Sequence, residues 1–397
     1  YYNQNIKIIL KGEMLKMCIY FKVGNDNGNS EHDIIINDKL IAQPNVYSKV
    51  RKLPNLDEVN KEYVLEHIED NLIVTCEDPS GIYYIGNYAL SSGQKIRNVE
   101  VGIDNNKLES EVIVINTLAQ IAGQAVKEDY LKNKSFGDII KVKVDMATAL
   151  PISSYSNKNA KLFSEKFTNK KHFITVHIGN EVARVEIEFE FVMVIPEGVT
   201  SSFLFIQTDD ALKKYNFKKE FFKNAKVLHV AIGEGTVEYP ITKGIEFNPN
   251  FIKGSNNGVG HAIDMALDEF KETKGLIKFS RQDYSEVLKN KKHKYNELAE
   301  DIIEQYIEEQ AEEIFHNATK EIQKANNDID VVCIYGGGSI LMRSALEEKF
   351  KKFCDRADIK LLYFDKEDCV TLESLGLNVL VNSKLFKTLK QNSTVQN

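Results

Sequence analysis

Three short glycine-bearing bends, each leaving an apolar run, are the segments of this chain best suited to chemistry: Gly24-x-Asp26-x-Gly28-Asn29-Ser30, Ile232-Gly233-Glu234-Gly235-Thr236 and Tyr335-Gly336-Gly337-Gly338-Ser339. Glycine, lacking a Cβ, lets main-chain N–H groups approach phosphate oxygens, and a hydroxyl beside it adds a donor. An ordinary turn explains any single bend; three in this order and at these separations are hard to obtain from turns alone. Other phosphate-binding designs are missing. There is no GxxxxGK[ST], and no strand-GxGxxG-helix with an acid ~20 residues further on. If phosphate is held here, it is held by hairpin loops.

The elements that must position these bends follow from hydrophobic periodicity. Cys18–Val23 and Ile34–Ile36 flank the first bend as a hairpin, and Leu72–Thr75 pairs with Ile82–Gly86 around Asp78-Pro79-Ser80-Gly81. Residues 109–126 have the spacing of a buried helix, and Lys141–Ala149 returns to strand. A second set begins after Pro151. Phe173–Ile178 and the alternating Ala183–Ile195 are strands, and Val227–Val230 runs into the second bend and out through Tyr239-Pro240-Ile241. Two copies of one hairpin arrangement imply two related halves. Helical periodicity covers Asn257–Glu269 and Tyr295–Lys324; the latter sets Leu298, Ile302, Tyr306, Ile307, Ile314, Phe315 and Ile322 against a solvated face carrying Glu300, Glu304, Glu308, Glu312 and Glu313. Val331–Tyr335 is a buried strand stopping at the third bend, from which Ser339–Phe353 continues as helix. Residues 391–397 have the composition of a frayed polar tail.

Composition excludes several classes. The 397 residues are 43% hydrophobic, ample for real cores. A net charge of −7 removes any global electrostatic reason to bind nucleic acid directly. Five scattered cysteines without CxxC and eight histidines without ligand spacing argue against a disulfide framework or zinc site, and for a cytoplasmic home. No apolar run approaches the ~20 residues of a membrane span. The first sixteen residues precede the first convincing strand. Lys11-Gly12-Glu13-Met14 has the pattern of a translated ribosome-binding site, placing the start at Met14 or Met17, with a genuine N-terminal extension as the alternative.

With these segments in hand, the chain resembles the ParM/StbA group of bacterial actins from about Met17 to Lys390. Gly24–Asn29 is similar to that family's first phosphate loop, Gln43–Tyr47 to its proline segment and Tyr83–Ala89 to its "YyvG-x-yA" strand. Ala149–Ile152 resembles the "GLP" strand end and Val194–Gly198 the "V-x-PEG" strand. Ile232–Thr236 resembles the second phosphate loop, Gly258–Gly260 a helix start and Ile334–Ser339 the adenosine loop.

The resemblance implies an α/β, actin-like two-domain fold, two related halves each with a mixed sheet flanked by helices and a nucleotide cleft between them. The halves would be residues 17–158 with 371–390, and residues 159–370. It implies ATP or GTP with Mg2+, the metal held by Asp26 through water; the lesser alternative for that residue is a turn-forming aspartate. Asn27, Gly28, Asn29, Ser30, Gly233, Glu234, Gly235 and Thr236 would cradle the phosphates, and Gly336, Gly337, Gly338 and Ser339 the nucleoside.

Two departures bear on catalysis. Family members usually carry an acid entering the second loop, where Ala231 stands, and Glu234 occupies a usual glycine. They also carry Glu or Gln beyond the "LP" strand end, where Ser153-Ser154 stands. Serine is no strong base near neutral pH, and alanine positions neither metal nor water. Either Ala231 is natural and hydrolysis is slow or uses another group, or the alanine replaces an aspartate and traps the triphosphate state. The implied function is a nucleotide-timed head-to-tail filament that segregates plasmid DNA through an adaptor bound to centromere-like DNA, without direct nucleic-acid or membrane contact. The alternatives are a small-molecule kinase or phosphatase of the same superfamily, or a non-segregating scaffold.

Overall fold

The computed structural model describes residues 18–56, 59–99, 106–136, 138–247 and 253–395. The reading of the first sixteen residues, with a start at Met14 or Met17, lies outside them.

Two mixed sheets organise the chain. The first is built from β1 (Cys18–Asn27), β2 (Glu31–Ile36), β3 (Lys39–Pro44), β4 (Val46–Val50), β5 (Ile73–Cys76), β6 (Gly81–Ile85), β7 (Arg97–Asn98), β8 (Ile140–Leu150), β9 (His172–Ile178) and β10 (Glu181–Pro196), in the order β3-β2-β1-β8-β10-β9-β5-β6-β4-β7. Its centre is parallel, β1 with β8 and β8 with β10; the hairpins around it are antiparallel. The second sheet holds β11 (Lys226–Ile232), β12 (Val237–Glu238), β13 (Ile241–Lys243), β14 (Glu246–Phe247), β15 (Gly254–Ser255), β16 (Val331–Tyr335) and β17 (Lys360–Tyr363), with β11, β16 and β17 parallel.

Helices cover both sheets. The helix Glu111–Asn133 starts at Ser110, whose hydroxyl accepts from the Val112 amide, and residues 112–126 are all buried in the core of the first sheet. The helix Asn296–Lys324 lays Ile303, Ile307, Ile314, Ala318 and Ile322 on the second core, as its 3.6-residue periodicity requires, and leaves Glu304, Glu308, Glu312 and Glu313 exposed. Among the described residues no helix is long and apolar enough to cross a membrane.

Three sequence expectations shift. The sheets divide between Pro196 and Lys226, so the strands over 172–196, expected in the second half, belong to the first. The cause is long-range pairing: β10 runs parallel to β8 from Val185 opposite Ile140 to Pro196 opposite Leu150, and carries β9 with it. The helix expected over 339–353 is two pieces, Gly337–Leu341 and Arg343–Ala357, broken at Met342. Of the tail expected over 391–397, residues 391–395 continue the helix Lys384–Val395, and 396–397 lie outside the described residues. That helix and Leu372–Asn382 return to the first sheet, where Leu377, Leu380, Val381 and Phe386 pack on Ala147, Ala149 and Ile195. Gly24 makes this return possible. A Cβ there would lie 2.6 Å from the main-chain nitrogen of Asn378.

Candidate functional site

The first bend closes the β1–β2 hairpin, and strand alternation sorts its side chains. Asn25 and Asn27 turn inward, their amides donating to Thr117 Oγ1 at 3.1 and 3.2 Å, while His32 bonds Asn25 Oδ1 at 2.8 Å. Burial pushes the His32 imidazole down to about 3, so it stays neutral and serves as scaffold. Asp26 and Gly28 face the other way, and Asn45 fastens the turn by donating to the Gly28 carbonyl at 2.6 Å.

The second bend is fixed by a helix start. The Val259, Gly260 and Gly258 amides donate to the carbonyls of Gly233, Glu234 and Gly235 at 3.0, 2.8 and 3.1 Å, and the Gly233 amide donates to Thr236 O at 2.9 Å. Glu234, in the place of a usual glycine, is held by Arg281 Nη1 at 3.2 Å, and Arg281 also donates from Nε to Asp264 at 2.6 Å.

The third bend needs its first glycine: Gly336 has φ +93°, and a Cβ there would come within 2.5 Å of the Ile232 carbonyl. Its amide donates to Cys369 O at 3.0 Å. The third loop thus lies on the second, and the second meets the first where Gly235 packs against the Asn29 side-chain amide.

All three bends line one open cleft, whose empty space is about 780 Å³ with its open mouth included. Of the residues singled out in the sequence, Asp26, Gly28, Asn29, Ser30, Ala231, Gly233, Glu234, Gly235, Thr236, Gly336 and Gly337 contribute to its wall. Four do not. Asn27 is turned to Thr117. Ser154 is buried in the turn after β8, its hydroxyl donating to Pro151 O at 3.2 Å. Gly338 packs on Ile232, and Ser339 is buried, its carbonyl accepting from Tyr363 OH at 2.7 Å.

The wall also holds groups that sequence reasoning passed over: Asp33, Lys107, Glu197, Glu238 and Glu373. Glu197 stands in a quoted strand-end segment, but Lys107 and Glu373 carry no local signal. Lys107 is buried and ion-paired with Glu197. Burial works against its charge, yet the Glu197, Asp26 and Glu373 carboxylates outweigh that and raise its pKa. Glu373 accepts from the Gly198 amide at 2.8 Å, and burial followed by Asp26 and Glu197 pushes it well up. Burial lifts Asp26 to about 6, with Lys107 opposing and Glu197 and Glu31 adding. Burial lifts Asp33 to about 8, helped by Asp26 and Glu31, and lifts Glu238 to about 8, helped by Glu197.

Among the described residues of the wall, Asp26, Glu31, Asp33, Glu197, Glu234, Glu238 and Glu373 thus share one cleft with a single ammonium, that of Lys107. Carboxyl oxygens are the donors a hard cation prefers, so the donor set fits Mg2+. Among the described residues no three His, Cys, Asp or Glu side chains form a ready-made ligand group.

Comparison with known proteins agrees with this architecture. Residues 24–199 match the model of the actin-like proteins' N-terminal domain, and residues 229–348 that of the archaeal actin homologue MreB-like C-terminal domain. No curated protein matches the chain in sequence. Among solved structures, the actin-like protein Alp7A is 17% identical, with a TM-score of 0.69 over 95% of this chain and all of that one. The archaeal actin homologue Ta0583 in complex with ADP is 17% identical, with a TM-score of 0.62 over 91% of this chain and 99% of that one. The ParM of a 15-stranded filament from Clostridium botulinum is 15% identical, with a TM-score of 0.62 over 92% of this chain and 99% of that one. The solved structures show one fold along nearly all of the chain, and the two models of actin-homologue domains on its successive parts show that it belongs to the actin-like proteins.

Proposed function

We propose that the protein is a nucleotide-dependent, filament-forming actin homologue that segregates plasmid or other low-copy DNA in the bacterial cytoplasm through a DNA-bound adaptor, with ATP hydrolysis timing disassembly. The observation that carries this reading is the meeting of three distant glycine bends on one carboxylate-walled cleft between two sheets. Similarity to proteins described as ADP-bound and as a filament supports it.

The main-chain amides of the first two bends hold the phosphates of ATP or GTP, and the third bend lets the nucleoside lie against the backbone. Asp26 holds the Mg2+ through water, and the metal, when bound, neutralises phosphate charge. Ser154 has no part in hydrolysis. Glu197, paired with Lys107 on the cleft wall, is the carboxylate available to orient water. Nucleotide bridging both lobes fixes the angle between them, and a fixed angle lets subunits stack head to tail into an open polymer. Loss of the terminal phosphate loosens that bridge.

Right-angle light scattering tests the reading, with electron microscopy in a slowly hydrolysed nucleotide to show the filaments. ATP with Mg2+ should raise scattering above a critical protein concentration and nucleotide-free protein should not; no rise over a wide concentration range refutes polymerisation.

A further inference from the structure

Glu197 sits where the chain leaves the first sheet for the second, between the end of β10 at Pro196 and the start of β11 at Lys226. Its own amide donates to Leu150 O at 2.8 Å, one step beyond the last pair of the β8–β10 ladder, Pro196 opposite Leu150. The peptide before Glu197 is thereby tied to the first sheet. The peptide after it is held differently. The Gly198 amide donates to Glu373 Oε1 at 2.8 Å, and the Gly198 carbonyl, one peptide further on, accepts from Tyr335 OH at 2.8 Å. Gly198 has φ +77°, and a Cβ there would lie 2.9 Å from Pro240 Cγ, so the turn is a glycine position.

Because peptide units are planar, a residue's φ and ψ are set once the planes on both sides of it are fixed. Leu150 fixes the plane before Glu197 and Glu373 the plane after it, and together they set the direction in which the Glu197 side chain leaves the main chain. The holders come from distant segments. Glu373 stands in the first turn of the helix Leu372–Asn382, which lies so close to the helix Thr200–Gln207 that a Cβ at Gly376 would overlap Thr200 O. Charged or protonated, a carboxyl group keeps an oxygen that can accept from the Gly198 amide. Tyr335 ends β16 where the third bend begins and is fully buried; its hydroxyl also meets Ser201 Oγ at 2.8 Å and His229 Nδ1 at 3.2 Å.

We propose that Glu373 and Tyr335 are positioning residues for Glu197: they hold the turn at Gly198 so that the carboxylate paired with Lys107 faces the cleft. They act through the main chain and pass no proton to water or phosphate. The inference rests on reading Glu197 as the group that orients water.

Amide hydrogen exchange at Gly198 in nucleotide-free protein tests the geometry. Glu373→Leu should speed that exchange at least tenfold, while Glu373→Gln, whose amide oxygen still accepts, should leave it within about threefold of wild type. ATP hydrolysis tests the consequence. Glu373→Leu and Tyr335→Phe should each lower kcat at least fivefold and move KM less than about threefold. Ser201→Ala, which trims the same network but leaves both bonds to Gly198, should keep kcat within about twofold. In a Glu197→Gln background the Glu373 and Tyr335 substitutions should lower kcat by less than about twofold more, since nothing remains for them to position. Losses that multiply with that of Glu197→Gln, unchanged kcat in the folded variants, or unmoved exchange in Glu373→Leu overturns the proposal. Should Glu373→Leu fail to fold, Tyr335→Phe, which loses a single hydroxyl, decides by the kinetic criterion. Wild-type protein that hydrolyses no ATP, or Glu197→Gln as active as wild type, sinks the reading of Glu197 itself, a result distinct from multiplying losses or unmoved exchange.

Discussion

Gly235 lies against the side-chain amide of Asn29 so closely that a β-carbon at 235 would overlap the Asn29 nitrogen. These residues lie in hairpin turns of different sheets, about two hundred positions apart in the chain, so their contact is a point at which the two lobes meet over the cleft.

Glu234 stands inside the second bend, where a bare carboxylate would repel phosphate, and Arg281 bonds it at 3.2 Å. Arg281→Met should weaken ATP binding about tenfold, roughly 1.4 kcal/mol. Adding Glu234→Gly should recover most of the loss. Calorimetric titration of both variants checks this; an unaffected single variant means Glu234 points no charge at the ligand.

Lys107 is buried among carboxylates and paired with Glu197. Removing one member of a buried pair leaves the other uncompensated, at a cost of about 3–5 kcal/mol. Lys107→Met should show that loss in urea unfolding, and Lys107→Met/Glu197→Gln should regain at least half. Equal instability of both variants would assign Lys107 to packing alone.

What the sequence disclosed and what it hid divide along this same line. The bends were readable because glycine, asparagine and hydroxyl residues beside an apolar run are a local signature, and their order carried the resemblance. Val331–Tyr335 and the acidic helix before it were readable for the same reason: periodicity is local. Lys107 and Glu373 gave no signal, since a lysine before a helix and a glutamate at a helix start are ordinary on a surface. Only the return of the C-terminal helices and the pairing of β10 with β8 bury them. The membership of residues 172–196 in the first sheet was hidden likewise, because alternation identifies a strand but not its neighbour. Ser154 was placed by its position along the chain, which carries no information on direction; the turn after β8 points its hydroxyl to Pro151, off the cleft wall.

Ser154→Ala should accordingly leave phosphate release within about twofold of wild type and cost about 1 kcal/mol of stability, the worth of an ordinary hydrogen bond. A turnover loss of a hundredfold would return Ser154 to the reaction.

The pH dependence has a definite sign. Burial raises Asp33 and Glu238 to about 8 in the folded protein, so the folded state keeps protons that the unfolded state releases near pH 4. Their effect is a stability lost as pH rises toward about 8. His32 and His229, held down at about 3 by burial, act oppositely, but only below about pH 6.5, where the unfolded imidazoles take up protons. Above about pH 6.5 the imidazoles no longer oppose the carboxyl groups, so nucleotide-free protein should lose melting temperature from about pH 6.5 to about pH 8. Asp33→Asn should flatten that decline. A melting temperature that climbs over this interval contradicts the assignment.

The most direct measurement titrates ATP with Mg2+ into wild-type protein and into Gly235→Val calorimetrically, with circular dichroism to confirm that both are folded. One site per chain in the wild type, and an affinity at least a hundredfold weaker in the variant, is the predicted result, because valine at 235 displaces Asn29 and parts the first two bends. A wild type that binds no nucleotide, or a folded variant that binds it as tightly, would contradict the assignment of one phosphate site to three bends.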